Sequence, residues 1–208
     1  MFFWICRILL WLPCKIFFPT RVYGKKNLRK TKSVIVSSHQ SNMDSILILT
    51  NTNFKFYTLT KKELFKSKLG NWIFTHLHAI PVDRQSNDLS AVKSSLKVLN
   101  QDKPLLVFPS GTREDENHNT ENFKNGTAMI AFKTKSDIIP VVFSRKPKLF
   151  RLTKIFIGNS IKYDDYSLLG EDNKEKYSLI TDKIQNEMNL LKTNGKKQIL
   201  ITKEKICS

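Results

Sequence analysis

Three features of this 208-residue sequence predict an α/β domain on a mainly parallel central sheet flanked by helices, with an N-terminal hydrophobic, membrane-associating helix. First, short and almost wholly apolar runs recur: SVIVSS (33–38), PLLVFP (104–109) and IIPVVF (138–143). Strands apolar on both faces need cover on both sides, which is the condition of a parallel sheet. Second, stretches with helical spacing separate these runs; NDLSAVKSSLKVLN (87–100) has apolar residues at 89, 92, 96 and 99. Third, the chain opens on MFFWICRILLWLPCKIFF, an apolar run set apart from everything after it.

In chain order, residues 2–18 are apolar apart from Arg7, Pro13 and Lys15. A membrane span needs about 20 predominantly apolar residues, and this run is shorter, with two cations and a proline. A signal peptide would need a small-residue cleavage site, which FFPTRVYG lacks. The expectation is an interfacial helix, with Phe, Trp and Leu in the headgroup boundary and Arg7 and Lys15 reaching to phosphates. Packing on the domain's own core is the alternative. Residues 1–19 are thus one segment and 20–208 one domain. Within it the pattern predicts strand 33–38, helix 42–50, strand 55–60, helical pieces 61–65 and 70–77, and strand 79–82. Helix 87–100, strand 104–109, helix 126–134, strands 138–143 and 152–158, and helix 175–192 follow.

The charge is unusual: 35 Lys+Arg against 18 Asp+Glu, a net +17. This favours acidic partners, whether nucleic acid, anionic lipid or an acidic carrier protein. The aromatics lie in apolar runs rather than between arginines as base-stacking platforms, which argues against nucleic acid. Cys6, Cys14 and Cys207 have neither disulfide-framework nor metal spacing, and no metal constellation is present.

Two turns could carry chemistry. In VIVSSHQSNMDS, His39 follows a buried strand and Asp44 falls near the start of the next helix. An Asp bonded to one ring nitrogen fixes the tautomer and leaves the other as a base for a hydroxyl or amine proton. The same two residues could also be a helix cap and a first-turn acid. In LLVFPSGTRE, a strand stops at Pro109 and Ser110-Gly111-Thr112-Arg113 follows. Outward backbone N–H groups, hydroxyls and Arg113 would suit an oxyanion or phosphate. The glycine two before Ser110 is missing, so Ser110 is not an elbow nucleophile. A third turn, IPVDRQ, places Arg84 after a strand. In parallel sheets ligands bind beyond the carboxyl ends of strands, where all three turns fall.

Taken in order, SHQSNMD, IPVDR, FPSGTRE and IIPVVF resemble the four blocks of the glycerolipid acyltransferase family. His39 and Asp44 match its His-x4-Asp block and Arg84 its second. Phe108, Pro109, Gly111, Thr112 and Arg113 match its third, F-P-E-G-T-R, and Ile139-Pro140-Val141 its fourth. The flanks VYGKKNL and FKNGTAMIAFKTKSDIIPVV agree, so the likeness covers roughly residues 20–145. The one departure is Ser110, where the family has Glu.

The resemblance implies an acyltransferase domain over 20–208. It implies transfer of a fatty acyl group from acyl-CoA or acyl-carrier protein to the sn-2 hydroxyl of 1-acyl-sn-glycerol-3-phosphate. His39 would be the base and Asp44 its holder; Arg84, Ser110, Gly111, Thr112 and Arg113, with Lys124 a further candidate, would bind the acceptor phosphate. No cofactor besides the acyl donor and no metal is implied. The setting would be the cytoplasmic face of a membrane. Ser110 keeps open another lysophospholipid or an aminolipid as acceptor. A non-enzymatic basic protein that binds membrane or nucleic acid would explain the charge, but not the pairing of His39 with Asp44.

Overall fold

The computed structural model describes residues 2–83, 88–111 and 123–207. Seven strands form one sheet in the order β1-β7-β6-β2-β5-β3-β4. They are β1 (Thr20–Tyr23), β2 (Ser33–Ser37), β3 (Tyr57–Lys61), β4 (Ala79–Val82), β5 (Leu105–Val107), β6 (Asp137–Phe143) and β7 (Thr153–Ile157). Every pairing is parallel except β6 with β7. The helices are α1 (Phe2–Phe17), α2 (Met43–Asn51), α3 (Lys68–His76), α4 (Leu89–Asn100), α5 (Gly126–Thr134) and α6 (Asn173–Cys207).

The period-2 geometry of the strands divides the core into two layers. Val34, Val36, Leu105, Val107, Ile138 and Val142 point to one face, beneath α4, α5 and α6. Ile35, Leu106, Ile139, Val141 and Phe143 point to the other, which Leu47, Ile48 and Leu49 of α2 and Phe3 and Cys14 of α1 cover. The covered parallel sheet is the predicted class. Strand β1 was not foreseen: TRVY is too short and too charged to stand out from its neighbours. It pairs in parallel with β7, Thr20 opposite Thr153. The flank after it closes that edge. Gly24 adopts φ 74°, and a Cβ there would lie 2.1 Å from the Ile157 carbonyl oxygen. Asn27 Nδ2 donates to the Gly158 carbonyl at 2.8 Å. Helix α6 runs well past the expected end at 192.

Helix α1 packs on the domain's core along one side only. Phe3 and Cys14 are buried against the core, and the helix continues through Pro13. Trp4, Ile5, Ile8, Leu9, Trp11, Leu12, Ile16 and Phe17 remain exposed. Among the described residues, no helix is long and apolar enough to cross a membrane.

Candidate active site

The site lies at the carboxyl edge of the sheet, beyond β2 and β5. Central strand β2 pairs with β6 on one side and β5 on the other, so the turn after it is anchored on both flanks. Ser38 N–H donates to the Val141 carbonyl at 3.2 Å, and its Oγ accepts from Phe143 N–H at 3.2 Å. Helix α2 starts one residue later than the expected 42, with Asn42 as its N-cap.

His39 and Asp44 meet. His39 Nδ1 lies 3.1 Å from Asp44 Oδ2. The same oxygen accepts from the backbone N–H of Gln40 at 2.6 Å and of Ser41 at 2.7 Å. Three donors on one oxygen fix the carboxylate, and the carboxylate fixes the turn. Asp44 is fully buried and His39 nearly so. With Nδ1 committed to Asp44, Nε2 is the nitrogen able to take a proton. The imidazole stacks on Phe108, centroids 4.2 Å apart. Neither Phe108's role as a platform nor the two backbone donors was read from the sequence. The first was signalled only by the Phe-Pro of the third block, and backbone donors leave no sequence signal.

His39 also lines an apolar cavity of ≈ 400 Å³ with Ile46, Leu49, Phe56, Phe74 and Leu77. It can hold an alkyl chain beside the imidazole. A second cavity of ≈ 420 Å³ opens on the other side of Leu59 and Phe108, beside Gly111 and Lys124.

The turn after β5 is only partly as expected. Ser110 is buried, and Gly111 has φ 67°, a conformation that needs glycine. The expected outward donor is not at Gly111, whose N–H donates to the Phe108 carbonyl at 3.1 Å and closes the turn on itself. Lys124 is held nearby by its own N–H to the Pro109 carbonyl at 3.0 Å. A Cβ on Gly111 would lie 3.6 Å from Lys124 Nζ. The absence of a side chain at 111 therefore leaves room beside this ammonium. Arg84, Thr112 and Arg113 lie outside the described residues.

A family model described as Acyltransferase matches residues 19–144. The chain belongs to the acyltransferase family. The match spans the same stretch as the four sequence blocks. This acyltransferase is 29% identical over 175 residues to the 1-acyl-sn-glycerol-3-phosphate acyltransferase of Bacillus subtilis (strain 168), covering 81% of this chain and 85% of that protein. It is 30% identical over 165 residues to the protein of the same name from Streptococcus pneumoniae, covering 76% of this chain and 60% of that one. The crystal structure of the 1-acyl-sn-glycerophosphate (LPA) acyltransferase from Thermotoga maritima matches with a TM-score of 0.64. At 24% identity, over 83% of this chain and 72% of that one, this likeness speaks for the fold.

Proposed function

We propose that this acyltransferase moves a fatty acyl group from a thioester to the sn-2 hydroxyl of 1-acyl-sn-glycerol-3-phosphate, making phosphatidic acid. The observation that carries the reading is the His39–Asp44 pair beside an apolar cavity, in a chain similar to proteins of that name. His39 Nε2 takes the hydroxyl proton as the oxygen attacks the thioester carbon. Asp44 stabilises the imidazolium that forms. As the C–S bond breaks, the imidazolium returns the proton to the departing thiolate, so no acyl-enzyme is required. Positioning both substrates at one edge supplies much of the rate.

The phosphate of the acceptor falls to Arg84, Arg113 and Thr112, with Ser110, Gly111 and Lys124 at the turn after β5. The donor is acyl-CoA or acyl-carrier protein; both are acidic, in keeping with the net charge of +17. No further cofactor is invoked. The exposed apolar residues of α1, with exposed Lys15, hold the enzyme on the cytoplasmic face of a membrane, where its acceptor resides. Arg7, expected to reach to phosphates, instead donates from Nε to the Thr52 carbonyl at 2.6 Å.

Ser110 favours one second reading, an acceptor lacking the terminal phosphate. A matrix of acyl-CoA and acyl-carrier protein donors against several lysolipid acceptors, with purified enzyme in vesicles, tests both. Phosphatidic acid should form from 1-acylglycerol-3-phosphate. Transfer only to a phosphate-free acceptor would replace the first reading with the second.

A further inference from the structure

We propose that the loop 144–152, between β6 and β7, is a second membrane-contacting element, shaped for an anionic phospholipid bilayer. The proposal rests on the membrane reading of α1 and extends it to a part of the chain far away in sequence.

Position is the first argument. Strand β6 runs parallel to β2, so its end at Phe143 is at the same edge of the sheet as His39. Strand β7 returns antiparallel, with Phe143 opposite Ile155, so the connecting loop projects from the catalytic edge. Helix α1 ends at that edge too, because β1 starts there with Thr20 opposite Thr153. The two meet: Phe150 N–H donates to the Phe17 carbonyl at 2.7 Å, and their rings lie 5.6 Å apart.

The loop's conformation is the second. Leu149 is 59% exposed and Phe150 68%. Phe150 has φ 56°, a costly left-handed conformation for a bulky side chain. The bond to Phe17 and a bond from Arg145 Nε to the Leu152 carbonyl, 3.1 Å, hold the loop closed. A strained backbone thus presents an aromatic ring to the outside, continuous with exposed Ile16 and Phe17.

Charge identifies the occupant. SRKPKLFRL contains four cations and no acid, and Lys146, Lys148 and Arg151 are exposed around the apolar tip. Apolar side chains ringed by cations match acyl chains beneath anionic headgroups. With α1 along one flank and the loop at the rim, the surface would be approached by the edge that carries His39.

The test is co-sedimentation of the full chain with phosphatidylglycerol-containing and pure phosphatidylcholine vesicles. Phe150→Gly removes the ring and relieves the positive φ; Leu149→Ser/Phe150→Ser removes both apolar groups. Each should lower partition onto anionic vesicles about tenfold or more. Turnover on a monomeric short-chain acceptor should stay at the wild-type level, which also verifies folding. Ile8→Ser/Leu9→Ser in α1 should lose partition as well. Loop variants that bind like wild type, while the α1 variant does not, would overturn the loop proposal and leave the membrane reading standing. Wild-type enzyme that ignores both vesicle types would remove both. Loss of binding accompanied by a smaller oligomer on size exclusion would assign the loop to contacts between copies and overturn the proposal.

Discussion

The turn after β2 holds its functional side chains by hydrogen bonds it makes itself, whereas the described part of the turn after β5, Pro109 to Gly111, supplies a bend and no cation of its own. In the first, His39, Gln40 and Ser41 all donate to one buried oxygen of Asp44. In the second, Gly111 closes the bend onto Phe108, and the nearest described cation, Lys124, is exposed and arrives from 13 residues along the chain. The difference suits the two tasks proposed for them. Proton transfer requires the base within hydrogen-bond reach of one hydroxyl. Attraction between a phosphate and several cations falls off gently with distance and tolerates a looser frame. Phe108 joins the two sides, belonging to the second turn's strand end while stacking on the base of the first.

Substitutions break this comparison in graded steps. His39→Ala should cost about 10²- to 10⁴-fold in kcat with acceptor KM little changed. Steady-state kinetics on a protein of wild-type circular dichroism would check it. Asp44→Asn should come close to that loss and also lower Tm, because the carboxylate holds the Gln40 and Ser41 N–H groups as well as the imidazole. Arg113→Ala belongs to the other side. Losing a charge-assisted phosphate contact, about 1.5–3 kcal/mol, should raise acceptor KM about 10- to 100-fold and spare kcat and the donor KM. Lys124→Ala should raise acceptor KM only about two- to fivefold, since its charge is solvent-screened. Ser110→Glu is the mildest, and it sharpens the comparison: it should keep or raise activity on 1-acylglycerol-3-phosphate. A large loss there would mean that the turn is rebuilt around serine for another acceptor.

The sheet was legible because its central strands are buried on both faces and read as unbroken apolar runs, as VIV and LLV do. TRVY at the edge was not, because an edge strand of half-exposed residues lacks that signal, and its place depends on β7, where Thr153 pairs with Thr20 from far along the chain. The pairing of His39 with Asp44 could be expected from the five-residue spacing across a strand end. Choosing it over a simple helix cap required the other three blocks. Asp44's second task was invisible, since backbone N–H groups are common to every residue. The cavity beside His39 was equally hidden: Ile46 in α2, Phe56 just before β3, and Phe74 and Leu77 at the end of α3 read individually as core. The expected outward N–H at Gly111 failed because a left-handed residue can turn its donor back into its own bend.

The central claim is that His39 and Asp44 act as one unit. The most direct measurement is kcat for wild type, His39→Ala, Asp44→Asn and the double variant, all shown to be folded. Groups that work through each other lose their effect once. The double variant should therefore turn over at the rate of His39→Ala alone. Losses that multiply would contradict the account, giving Asp44 a catalytic task apart from His39, and near wild-type turnover in His39→Ala would remove the base altogether.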